Sequence, residues 1–329
     1  MNPYIGHPSQ LSGAEEVRLV GGRGDGMRLL RVYNGRGLEI TVSLDRCADL
    51  SRVIYRGGNC GYFSPCGYVA PAYYDGVGNG FLKSFTAGFL TTCGLNNVGV
   101  PCEDAGESLP LHGSIGNTPA EWFCVDETEE AVTVRARISD ETIFGRKLTL
   151  HRTIELCKNC DEIRLRDRVE NTGGEAQPLE ILYHMNMGYP LLCPESELAI
   201  PSARVTPRDE RAAEGIGEWQ KMTPPQPGFV EQCYFHHFDK KGSAAIYSPL
   251  LDASLCIRFD PKQLPFFTQW KMMGVRDYVL GLEPGNCHPD GRAKMRADGL
   301  LDFLQPGESR EFSVTIRLRP GRVTPEEVV

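Results

Sequence analysis

Long hydrophobic runs are missing from this 329-residue sequence, and no apolar stretch approaches the ~18 residues that a membrane-spanning helix needs. Basic residues are not in excess either. The formal net charge is −8, which argues against a nucleic-acid surface and more strongly against docking on an anionic membrane. Residues Met1 to Gln10 hold no basic patch followed by an apolar run, so no secretion signal is read and a cytoplasmic location is expected. Apolar residues almost nowhere keep a 3.6-residue period over three turns, which excludes a helical bundle. No repeat of fixed period and no Gly/Ser- or Pro-rich linker divides the chain, so one domain over residues 1–329 is expected. Gly21-Gly22-Arg23-Gly24 has the glycine count of a phosphate loop. It lacks the following Lys-Ser/Thr and the helix that would aim its amides.

What is present is ample core material and many short strands. Hydrophobic residues make up 41% and charged residues 24%, ordinary for a globular chain with a large core. Twelve cysteines lie at irregular spacing and, without a secretion signal, are expected as reduced thiols. Cys157-Lys158-Asn159-Cys160 reads as the turn of a long hairpin between Arg146–Leu156 and Asp161–Glu170. Val132 to Ile138 alternates cleanly, and further runs lie at Leu179–Met187, Gln232–Phe238, Phe266–Met272 and Tyr278–Leu282. Many short strands with frequent turn residues imply a sandwich or a barrel. Residues 59–119 are irregular but rich in aromatics, and are expected to form ordered loops that wall a pocket. Ala203–Pro227, polar and Pro-rich, reads as a surface excursion.

Three segments place a proton-carrying side chain at the end of an apolar run. His112 follows Leu109-Pro110-Leu111 and precedes Gly113, which lets backbone or ligand approach closely. His184, with Asn186 two residues on, ends the strand-like run that Gly188-Tyr189-Pro190 breaks. Glu283 ends Tyr278–Leu282, where a carboxylate is costly to bury unpaired and must face water, a cation or a ligand. Burial would lift its pKa toward the range of a general base. The plainer alternatives are a surface or satisfied core histidine at 112, a satisfied core histidine at 184 and a solvated turn carboxylate at 283. Trp270 could stack on the apolar face of a sugar and Lys271 hold a hydroxyl or acidic group, or the two could be a core indole beside a surface ammonium. Arg46 is a cationic candidate by type, with a local ion pair to Asp49 as the alternative. His236 and His237 are neighbours on a strand and point to opposite faces, so they do not share a metal.

Thr92-Cys93-Gly94-Leu95-Asn96, Leu111-His112-Gly113 with Asn117-Thr118-Pro119-Ala120-Glu121, Tyr183-His184-Met185-Asn186-Met187-Gly188-Tyr189-Pro190 and Gly281-Leu282-Glu283-Pro284 occur in that order. Over residues 25–320 the chain thereby resembles the aldose 1-epimerase (galactose mutarotase-like) superfamily. Within it the chain looks like an uncharacterised bacterial branch known as a domain of unknown function. The resemblance implies an all-β fold, a large antiparallel β-sandwich with an open sugar cleft on one sheet, and no metal or organic cofactor. It implies that His184 protonates the ring oxygen of a sugar, that Glu283 takes the proton of the anomeric hydroxyl, and that His112 helps hold the oxygen being protonated. The arginine and aspartate that bind hydroxyls in mutarotases match no motif here. Arg46, Asn186, Trp270 and Lys271 stand as substrate-binding candidates, and Glu218–Phe229 as a substitute for the aspartate's loop.

The expected activity is interconversion of sugar anomers by an isomerase. The expected partner is a monosaccharide or sugar acid, with no nucleic acid and no membrane, and a homodimer is compatible with the chain. Three other readings stay open: a sugar sensor without turnover, another carbohydrate isomerase or lyase, and a zinc enzyme using the two histidines and the glutamate.

Overall fold

A computed structural model describes residues 3–323 and 327. Its strands pair antiparallel into two large sheets. The eight-stranded sheet runs, in spatial order, Trp122–Glu127, Ala131–Glu141, Lys147–Cys157, Glu162–Asn171, Ser309–Pro320, Ala253–Phe259, Gly242–Ser248 and Glu197–Ala199. The seven-stranded sheet runs Arg204–Pro207, Gln232–His237, Phe266–Met273, Tyr278–Gly285, Gln177–Met187 and Asp302–Leu304, and Leu90–Leu95 also pairs with Gln177–Met187. A five-stranded N-terminal sheet spans Gly13–Arg18 to Gly58–Asn59. The fold is a large antiparallel β-sandwich, as the alternation in the sequence and the resemblance together led us to expect.

Period-2 patterning decides which faces meet. Along Ala131–Glu141, Val132, Val134, Ala136 and Ile138 are buried, while Arg135 and Arg137 point out. Along Gln177–Met187 both faces are covered. Its odd-numbered residues, Leu179, Ile181, Tyr183, Met185 and Met187, join the core shared with the eight-stranded sheet. Its even-numbered residues, Glu180, Leu182, His184 and Asn186, lie on the other face, beneath loops from residues 59–119.

One buried polar network crosses this core. Arg152 holds Asp167 with two hydrogen bonds (3.0 and 2.7 Å) and also pairs with Asp49. Tyr183 donates its hydroxyl to Asp167 at 2.8 Å, and Thr92 donates to Asp49 at 2.6 Å. Breaking such a buried pair from one side leaves an uncompensated charge, at a cost of about 3–5 kcal/mol. The network reaches the backs of the strands that carry Thr92 and His184.

Several expectations need correction. The Lys158-Asn159 turn lies where the sequence placed it, but the sulfurs of Cys157 and Cys160 are bonded, so these two are not free thiols. Within 59–119, Leu90–Leu95 is a regular strand whose pairing with Gln177–Met187 was not legible from alternation, because all six of its residues are buried. Ala203–Pro227 is more than a surface excursion: it contributes the edge strand Arg204–Pro207 and the short helix Glu210–Glu214, capped by Asp209. Among the described residues no helix is long and apolar enough to cross a membrane.

His236 is a core histidine. Gln269 donates its amide to the Trp219 carbonyl, which turns its oxygen toward His236 Nε2 (3.0 Å). Nδ1 then accepts from Ser202 (3.0 Å). His237 faces the other way, beside Arg204 and Thr206. Burial holds the His236 imidazole neutral, lowering its pKa to about 4. Unfolded, it would return to about 6.5. Its contribution is therefore complete above pH 6.5 and is lost as the pH falls from 6.5 toward 4. Denaturant titrations across this window should show stability falling on acidification, with His236→Gln removing up to about 1.4 kcal/mol per pH unit of that slope. An unchanged slope in the variant would refute this role.

Candidate active site

The site lies on the even-numbered face of Gln177–Met187. Met185 pairs with Leu282 on the neighbouring strand, which sets His184 beside Glu283. Glu283 is in turn opposite Thr268, and Gly281 opposite Trp270. Trp270 is opposite Cys233, whose carbonyl accepts from the backbone N–H of Arg208 at 3.0 Å. One side of a single sheet thus presents His184, Glu283, Thr268, Trp270, Cys233 and Arg208. These residues line a cleft of about 260 Å³ together with His112, Glu231, Phe81, Phe85 and Leu111.

His184 Nε2 and a Glu283 carboxylate oxygen, Oε1, are 3.3 Å apart, with side chains 6% and 2% exposed. That Glu283 oxygen and His184 Nδ1 have no hydrogen-bond partner among the described residues. Burial raises the Glu283 carboxyl well above its usual range, and the negative charge of Glu231 adds to this while Arg208 opposes it. Burial also lowers His184 to about 3, helped by the neighbouring His112 ring. Both shifts favour a protonated carboxyl beside a neutral imidazole. In that state the pair carries one proton, on the carboxyl, and the imidazole beside it is free to accept one.

His112 stands on the other flank. Its backbone is left-handed (φ 57°), a conformation uncommon outside glycine and a form of strain often met at functional sites. The chain is pinned there by His112 N donating to the Gly99 carbonyl and Gly94 N donating to the His112 carbonyl. Gly113 follows with φ 70°, and a Cβ on it would strike the Gly94 and Asn97 carbonyls, so the close approach expected at this glycine is backbone on backbone. The Gly99 N–H donates to His112 Nδ1 at 3.3 Å, which leaves the ring proton on Nε2. Burial lowers His112 to about 4, with Glu231 opposing. The His112 and His184 ring centres are 5.5 Å apart, and the Trp270 ring meets His184 at 5.3 Å.

The remaining binding candidates separate. Trp270 lines the cleft and donates its indole N–H to Glu231 at 2.7 Å. Lys271, one residue on, is on the opposite face, buried against the Glu218 carbonyl, and does not reach the cleft. Asn186 is fully buried, donates to the His184 carbonyl and does not line the cleft. Arg46 is buried elsewhere and donates to the Val69 carbonyl. Asp49, offered as its partner, pairs instead with Arg152. Within Glu218–Phe229, Glu218 is an exposed residue paired with Lys221 and supplies no cleft carboxylate. Arg208 and Glu231, which no motif singles out, also line the cleft: Arg208 donates to Glu231 at 2.9 Å and to Asp209 at 3.0 Å. Arg208 follows the edge strand Arg204–Pro207 and Glu231 precedes its neighbour Gln232–His237, so their only signal is the pairing of those strands. Among the described residues no three His, Cys, Asp or Glu side chains are grouped to hold a metal ion.

The profile of a family described as a domain of unknown function, DUF4432, matches residues 24–318. The chain belongs to the DUF4432 family. Solved structures place this DUF4432 member among galactose mutarotase-like folds. A candidate aldose 1-epimerase from Klebsiella pneumoniae superposes with a TM-score of 0.86 at 25% identity, over 97% of this chain and 89% of that one. A galactose mutarotase-like protein from Clostridium acetobutylicum gives 0.70 at 13% identity, over 94% and 99%. A galactose 1-epimerase from Lactobacillus acidophilus gives 0.65 at 14% identity, over 94% and 100%. No curated protein matches the sequence.

Gly281 makes the geometry of this DUF4432 site possible. A Cβ at position 281 would overlap the Glu283 carboxylate and press on Trp270 Cβ, so the carboxylate lies over the space that glycine leaves. Gly281→Ala should cost about 1–3 kcal/mol by overpacking and turn Glu283 out of the pair. Thermal melts and a crystal structure of the variant check this. A variant of unchanged stability with Glu283 still beside His184 would contradict it.

Proposed function

We propose that this protein is an aldose 1-epimerase-like isomerase that opens and recloses a cyclic sugar with Glu283 and His184 as proton carriers. The observation that carries the reading is the 3.3 Å contact between a buried carboxyl oxygen and a buried imidazole nitrogen inside a sugar-sized cleft. Opening a hemiacetal requires a proton to leave O1 as the C1=O bond forms, and a proton to reach the ring oxygen as its bond to C1 breaks. Both oxygens are bonded to C1, so acid and base must stand close together.

In the empty cleft, burial favours the neutral pair. A bound sugar shifts the proton: its O1 hydroxyl donates to Glu283 and its ring oxygen accepts from protonated His184, and both contacts favour the charged arrangement. His112, with its proton on Nε2, supports the same ring oxygen. The open aldehyde turns about C1–C2 and closes on its other face. Return of the two protons then restores the pair. Trp270 offers its ring as a floor, and Glu231, oriented by Arg208 and the indole N–H, offers acceptor positions to sugar hydroxyls.

Anomer exchange measured by NMR with a panel of free sugars tests the reading. Glu283→Gln and His184→Ala should each slow exchange by at least ~10²-fold while the fold persists. Near-normal rates in either variant would remove that residue from the mechanism. The pH profile is equally diagnostic. Protonation of His112 near 4 and of His184 near 3 sets the acid limb, and loss of the shared proton from Glu283 sets the alkaline limb. The enzymatic rate should stay level through pH 6.5. An acid limb at that ordinary histidine value would contradict the buried-pair mechanism.

A further inference from the structure

The cleft is divided along its length. On the Glu283 side lie Thr268, Trp270, Glu231 and Arg208. On the histidine side the wall is Phe81, Leu82, Phe85, Val100 and Leu111. The Phe81 ring sits 5.3 Å from that of His112, and the Phe85 ring 5.5 Å from that of His184. None of these five side chains carries a polar group, and the Trp270 ring meets His184 from the opposite half at 5.3 Å.

We infer that the cleft takes a 6-deoxyhexose, a sugar with a methyl group rather than a hydroxymethyl on the carbon beside the ring oxygen. The inference rests on the proposed ring-opening reading, which sets the ring oxygen at the histidines and O1 at Glu283. A pyranose ring oxygen has two carbon neighbours. C1 lies toward Glu283, so C5 and its substituent lie toward Phe81 and Phe85. The C2 hydroxyl falls on the C1 side, within the half that holds Thr268, Glu231 and Arg208. A hydroxyl at C6 would lose its water against phenylalanine and leucine and gain no partner, whereas a methyl gains contact with them. A carboxylate or phosphate there would meet no lysine or arginine among the described residues. Arg208, the one basic side chain lining the cleft, is on the other side and already bonded to Glu231 and Asp209.

An apolar wall rejects an added hydroxyl only moderately, by up to roughly 10²-fold. Matched pairs should therefore differ in kcat/KM for anomer exchange by about 10- to 100-fold in favour of the deoxy sugar. Suitable pairs are fucose against galactose, 6-deoxyglucose against glucose and rhamnose against mannose. The pair 2-deoxyglucose and glucose should show no such preference for the deoxy member. Leu82→Asn, at a half-exposed position, and Leu111→Asn should each pull the 6-deoxy preference toward unity by supplying a partner for the hydroxyl. Equal rates within the pairs, a preference for the hydroxymethyl sugars, or a preference confined to 2-deoxyglucose would overturn the inference while leaving ring opening intact. If no sugar exchanges, the ring-opening reading fails. NMR-measured Kd values for the same pairs then decide the substrate class, with tighter binding of the 6-deoxy member sustaining it and equal binding overturning it.

Discussion

The contact between His184 and Glu283 is the constraint around which the cleft is built. It depends on register. Met185 opposite Leu282 puts the imidazole and the carboxyl side by side on one face of the sheet. A slip of one residue in Gln177–Met187 would send the imidazole into the sandwich core and bring Tyr183 or Met185 into the cleft beside Glu283. Two titratable groups so deeply buried are costly unless each limits the charge of the other. A single proton on the pair does this, since either placement of it leaves the pair with no net charge.

The strand Gln177–Met187 joins stability to chemistry because its two faces do different work. Its odd-numbered side chains fill the apolar core, and Tyr183 ties it to Asp167 and Arg152 on the opposing sheet. That anchoring lets the even-numbered face carry His184 rigidly. The irregular loops of residues 59–119 cover this face, supplying the phenylalanine wall and the left-handed turn at His112. The strands on the Glu283 side bring the polar half, with Trp270, Glu231 and Arg208 locked to one another.

Much of this was legible in the sequence, for definable reasons. Alternation revealed the outward-facing strands such as Ala131–Glu141, because a half-buried strand writes its period into the chain. The fully buried Leu90–Leu95 strand has no such period, so nothing in its sequence separates it from the loops around it. His112, His184 and Glu283 stood out because each is a polar group at the end of an apolar run, and the fold brings all three to one cleft. Trp270 and Lys271 are equal candidates by residue type, yet they point to opposite faces and only Trp270 lines the cleft. Arg46 was chosen for its charge, which says nothing of direction, and it lies elsewhere. Arg208 and Glu231 sit in segments that look like ordinary polar loops. Only strand pairing, which a single sequence does not display, carries them to the cleft.

Infrared difference spectroscopy reads directly the proton that keeps the buried Glu283 carboxyl neutral beside His184. Comparison of the native protein with Glu283→Gln at neutral pH should isolate the C=O stretch of one protonated carboxyl group belonging to Glu283. That band should be present at pH 7 and disappear only in alkaline solution. Finding only an ionised carboxylate at pH 7 in the unliganded protein would contradict it.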